Sequence, residues 1–76
     1  MSNTTLDLKG LLCPLPVVKI AQAIKAVNVG DVVEAMATDP GVLADIPAWA
    51  RSSGNELVSM EKGRDKVIRF MVRRIK

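Results

Sequence analysis

The sequence predicts a small two-layer α/β domain, in the order strand-helix-strand-helix-strand-strand, with both helices on one face of the sheet. Three observations lead there. Two separate stretches, each opened by a proline, repeat apolar residues at three- and four-residue spacing, as amphipathic helices do. Short strand-like stretches flank them. The last strand is apolar on one side only, and 76 residues leave room for a single covering layer.

In chain order, Thr4 to Lys9 alternates Leu6 and Leu8 with polar neighbours, and reads as a strand ended by Gly10. Pro14 to Asn28 reads as a helix with the stripe Val17, Ile20, Ala21, Ile24 and Val27, and Gly30 is placed to give it a left-handed exit. Asp31 to Ala37 is apolar on both faces, as an interior strand would be. Asp39 is expected to cap a second helix whose first residue is Pro40 and whose stripe is Val42, Leu43, Ile46, Trp49 and Ala50. Trp49 is expected in the core. Pro47 should kink or split that helix, with Asp45 capping the second part. Glu56 to Lys62 and Lys66 to Arg74 read as an antiparallel hairpin turned at Gly63-Arg64-Asp65, with Ile68, Phe70 and Val72 on one face.

The chain makes one domain over residues 1–76, without repeat or linker. A core this small is unsuited to a deep substrate cavity, so chemistry should sit at the surface. One cysteine cannot form an internal disulfide, and the N-terminal residues lack the apolar region of a signal peptide. The longest mostly apolar run, Leu11 to Val18, is too short to span a bilayer. A cytoplasmic, membrane-free protein is the expectation. There is no histidine, which removes Cys–His catalysis and histidine metal sites, and one cysteine alone cannot hold zinc or an iron–sulfur cluster. Neither a metal nor a cofactor is expected.

What remains is Cys13. If Pro14 is the first helical residue, Cys13 is the N-cap, and its sulfur lies where unpaired backbone N–H groups converge. Such a position lowers a thiol's pKa and raises its thiolate fraction. Pro16 has no N–H to offer, which leaves Leu15 and Val17 as donors near the sulfur; Pro14 and Pro16 also constrain the loop. An activated nucleophile without a general base suits a group carrier better than a stand-alone catalyst. The competing reading is a buried structural cysteine, since free cysteine packs like a small hydrophobe. Asp39, besides its capping role, faces Cys13 if both helix N-termini lie at one end of the sheet.

Charge is uneven. Residues 61–76 carry seven basic side chains against two acidic ones, in a chain of net charge +3. A basic hairpin could serve a regulatory module that binds RNA or an acidic protein, with Arg73 and Arg74 as contacts. No aromatic platform for single-stranded bases accompanies it, so direct nucleic-acid contact is not expected.

Leu6-Asp7-Leu8-Lys9-Gly10-Leu11-Leu12-Cys13-Pro14-Leu15-Pro16 resembles the N-terminal signature, with its CPxP motif, of the TusA/SirA/YedF-type sulfur carriers. Gly30-Asp31, Ala37-Thr38-Asp39-Pro40, Asp45-Ile46-Pro47-Ala48-Trp49 and Gly54-Asn55-Glu56-Leu57 resemble its later landmarks in order and spacing. The resemblance implies a two-layer sandwich with a four-stranded mixed sheet. It implies that Cys13 accepts sulfane sulfur as a persulfide from a cysteine desulfurase or rhodanese-type donor. A DsrE-like or other acceptor protein would then receive it in a sulfur relay. Transfer RNA thiolation, molybdenum cofactor maturation and sulfur oxidation are the pathways implied. Pro14 and Pro16 carry over as motif residues and Asp39 as a neighbour. Where some members have arginine before the cysteine and an acidic residue between the prolines, this chain has Leu12 and Leu15. The rim of the sulfur is therefore apolar, and Leu12 is a candidate partner contact on a carrier expected to be monomeric.

Overall fold

The structure, a computed structural model, describes residues 3–76. Six elements follow in chain order: β1 (Asn3–Leu8), α1 (Leu15–Ala26), β2 (Val32–Ala37), α2 (Val42–Ser53), β3 (Glu56–Lys62) and β4 (Ile68–Arg73). The sheet order is β1-β2-β4-β3, with β1 parallel to β2 and both other pairs antiparallel. This is the expected four-stranded mixed sheet with two helices.

Side chains of a strand alternate faces, and β2 shows it: Val33, Ala35 and Ala37 are buried while Val32, Glu34 and Met36 are half-buried. On β4 the buried set is Ile68, Phe70 and Val72, as the alternation predicts. These residues form one core with Leu8 of β1, Ile20 and Ile24 of α1, and Val42 and Ile46 of α2. Both helices therefore cover the same face. Trp49 is half-buried against that core.

Register fixes what lies at each end. Asn3, Val32, Arg73 and Glu56 form the row at one end, and Leu8, Ala37, Ile68 and Lys62 form the row at the other. The loops that lead into α1 and α2, and the hairpin turn after Lys62, all leave from the second end.

Four local expectations are corrected. α1 begins at Leu15 with Pro14 as its N-cap, so Cys13 lies one residue outside the cap; the Cys13–Pro14 peptide bond is cis. α1 ends at Ala26 through an extended Val27, and Gly30, although at φ +95°, belongs to the turn before β2, where its N–H donates to Arg74 O at 2.7 Å. α2 starts at Val42 with Gly41 as N-cap, not at Pro40 after an Asp39 cap; Asp39 Oδ1 instead accepts the Gly41 N–H at 3.1 Å in a local turn. Finally, α2 is one helix with Pro47 inside it, so Asp45 caps no second part. Pro47 has no N–H to offer the carbonyl of Leu43, itself an exposed residue. α2 closes on Gly54 at φ +78°, a left-handed cap that returns N–H groups to the last carbonyls.

Candidate functional site

The site is built from two loops at one end of the sheet. Leu8 ends β1, Leu11 N–H turns back to Leu8 O at 3.2 Å, and Gly10 takes φ +84°. That brings the Gly10 N–H to Thr38 Oγ1 at 2.9 Å, the first stitch between the β1–α1 and β2–α2 loops. The second is the Cys13 N–H, which donates to Asp39 Oδ2 at 2.7 Å. The third is the thiol, whose Sγ donates to Asp45 Oδ2 at 3.0 Å. Asp45 stands in the first turn of α2, where negative side chains are favoured.

Cys13 is exposed, so it is not the buried structural cysteine of the competing reading. Its electrostatics also reverse the expectation. The hydrogen bond to Asp45 is the main cause that pushes the thiol pKa up, with desolvation and the negative charges of Asp45 and Asp39 adding to it. The expected lowering by the α1 N-terminus does not appear, for two reasons. Pro14 occupies the cap, and the Leu15 N–H, one of the two expected donors, is taken by Leu12 O at 2.9 Å. Two carboxylates then face the sulfur in place of backbone donors.

The other candidate residues fall into three groups. Pro16 is fully buried and Val17 packs against the core, so this half of the motif fastens α1 to the domain. Leu12, 71% exposed, and Leu15, Val18 and Leu43, each more than 40% exposed, leave an apolar rim on the loop and on the two helix N-termini. Arg73 and Arg74 lie at the opposite end of the sheet from Cys13. Arg73 pairs with Glu56 at 2.7 Å. The Arg74 guanidinium donates to the carbonyls of Val27, Lys25 and Lys76, bracing the end of α1. Of the basic hairpin, Lys62 and the turn after it, with Arg64 and Lys66, share the end that holds Cys13. A concavity lined by Glu34, Ser59, Glu61, Arg69, Phe70 and Met71 lies away from the sulfur, on β2, β3 and β4.

Asp45 and Thr38 are the site residues that sequence reading missed. A signal for Asp45 was present: if the N-terminus of α2 faces Cys13, so does an acidic residue in its first turn. Among the described residues no cluster able to hold a metal ion occurs, and no helix is long and apolar enough to cross a membrane.

The family model described as sulfurtransferase TusA matches residues 4–74. A protein of Halobacterium salinarum, provisionally described as a sulfur carrier protein, is 47% identical over 73 residues, covering 95% of this chain and 89% of that protein. The sulfur carrier protein TusA of Allochromatium vinosum is 44% identical over 59 residues, or 76% of this chain and 78% of that one. A longer relative from Aquifex aeolicus, also provisionally described as a sulfur carrier protein, is 45% identical over 69 residues; the match takes in 91% of this chain but only 35% of that protein's length. The crystal structure of a SirA-like protein from Desulfitobacterium hafniense superposes with a TM-score of 0.84 at 20% identity, covering 96% of this chain and 99% of the other, and bears out the fold.

Proposed function

Because the chain belongs to the TusA sulfurtransferase family, we propose that it is a sulfur carrier that takes up sulfane sulfur on Cys13 and hands it to a partner protein. The observation that carries this reading is the exposed Cys13 thiol, held on a loop whose backbone is pinned by Asp39. A carrier must offer its sulfur to two different proteins in turn, and an exposed rim serves that better than a pocket.

The loading step balances without a cofactor. The Cys13 sulfur attacks the terminal sulfur of a donor persulfide and the donor's S–S bond breaks. The donor leaves as a thiol, carrying the proton that Cys13 gives up, and Cys13 becomes the persulfide. Delivery repeats the exchange on an acceptor thiol and restores the Cys13 thiol. The oxidation level moves with the transferred sulfur, so no external oxidant enters.

A cysteine desulfurase or rhodanese is the class of donor proposed. The acceptor is a DsrE-like or other thiol protein of transfer RNA thiolation, molybdenum cofactor maturation or sulfur oxidation, in the cytoplasm. Leu12 is the proposed partner contact, since an apolar side chain this exposed and one residue from the sulfur is covered when a partner docks. The test is mass spectrometry after incubation with a cysteine desulfurase and cysteine. A gain of one sulfur atom, reversed by reductant and absent from Cys13→Ser, is expected. The same gain on Cys13→Ser would remove Cys13 from the role.

A further inference from the structure

We infer that Asp45 is a positioning residue that holds Cys13 as the protonated thiol while the protein is free, which keeps the sulfur unreactive toward small reagents. The purpose of this rests on the carrier reading, but its test does not. The geometry comes first: Sγ donates to Asp45 Oδ2 at 3.0 Å, close for a bond from sulfur, and the bond exists only while the proton stays on sulfur. Losing that proton would place a thiolate against a carboxylate, with a repulsive pair where a hydrogen bond had been.

The surroundings add to the effect. The charged groups acting on the sulfur are Asp45 on α2 and Asp39 on the β2–α2 loop, both negative. α1 brings no acidic residue in its first turn, and its basic residue in the last turn, Lys25, is at the far end of the helix. The Cys13 backbone is fixed on Asp39, which keeps the loop at the start of α2 where its thiol meets Asp45. The direction in which the thiol pKa moves agrees with the geometry. An exposed cysteine, ordinarily open to oxidation and alkylation, is thereby shielded by charge instead of by burial.

The experiment is the rate of alkylation by iodoacetamide from neutral to strongly alkaline pH, on the whole chain and on Asp45→Asn. Asparagine keeps an oxygen that can accept from the thiol and removes the charge. The inference expects the midpoint of the Asp45→Asn profile at lower pH and its rate near neutral pH several-fold higher. The gain survives the opposing trend: a tenfold rise in thiolate fraction is offset by only about a threefold loss of intrinsic nucleophilicity. An unchanged midpoint overturns the inference. So does a midpoint at higher pH with slower alkylation, which would make Asp45 an activating base. Asp45→Ser replaces Asp45→Asn if the latter loses the parent's circular dichroism spectrum. Failure to load sulfur from a desulfurase, with the alkylation shift present, would sink the carrier reading and leave this inference standing.

Discussion

The backbone N–H of Cys13 and the carboxylate of Asp39 are joined at 2.7 Å across 26 residues of chain, and the other oxygen of that carboxylate holds the N–H of Gly41 at 3.1 Å. One side chain thus fixes the loop that carries the sulfur and the loop that starts α2. Asp39→Ala removes both bonds. Hydrogen bonds to charged acceptors contribute more than neutral ones, but these lie near the surface, so a loss of about 1–2 kcal/mol is expected. In a domain of this size that is a fall of roughly 5–15 °C in melting temperature, which a thermal melt will read.

Pro47→Ala should stabilise the protein. The substitution restores a donor for the Leu43 carbonyl inside a helix that is already continuous. Proline costs about 3 kcal/mol against alanine in a helix interior, so a gain of about 1–3 kcal/mol is expected. Urea titration should give a higher midpoint with an unchanged slope.

Arg74→Ala and Arg73→Ala should separate, although the two residues are neighbours of the same charge. Arg74 serves carbonyls at the end of α1, and its removal is expected to cost about 1 kcal/mol. Arg73 makes one exposed ion pair, which contributes about 0–1 kcal/mol. A matched pair of melts decides this. If Arg73→Ala is the more damaging, the assignment of Arg74 as the brace is wrong.

Asp65 sets a pH dependence whose sign follows from its partners. The Arg69 guanidinium, at 3.1 Å, and then the Val67 N–H hold its carboxyl below the usual range. A carboxyl depressed in the folded state adds stability above its unfolded pKa, and that contribution is lost as pH falls through the folded value. The difference in stability between the parent and Asp65→Asn should therefore be present at neutral pH and shrink in acid. A difference that grows in acid would contradict it.

Phe70 is fully buried in the centre of β4, paired across the sheet with Ala35 and Met60. Phe70→Ala is expected to cost about 3–5 kcal/mol. Set against the modest stability of small domains, that populates the unfolded state at room temperature, and circular dichroism should show it.

The elements that sequence reading placed well are those whose signals are local. β3 was legible to the residue because Gly54-Asn55 and Gly63 bracket it, and β4's inner face followed from strict alternation at Ile68, Phe70 and Val72. Cys13 is legible as the centre of the candidate site for the same reason, being the one thiol at a loop-to-helix junction. The errors lie where a distant contact outweighs a local preference. Tertiary packing carries α2 through Pro47. The sequence ties the sulfur to the helix that follows it, whereas Asp39 and Asp45 arrive from the next crossover. Periodicity reports which face of an element is apolar and is silent on which loop meets another at the end of a sheet. Parallel strands put successive helix starts on one edge, which brings Asp39 toward Cys13, and the same geometry brings Asp45 there.

The row Asn3, Val32, Arg73 and Glu56 puts the start of β1 and the finish of β4 at the same edge of the sheet, opposite the sulfur loop. Strands of six residues hold the two edges roughly 17 Å apart. A second polypeptide running into the start of β1 or out of the end of β4 would therefore meet the domain on its far side and leave Cys13 open. That leaves room at this edge for further polypeptide, in keeping with a relative more than twice its length. It also means that affinity tags or surface tethers can be placed at both ends without shadowing the thiol.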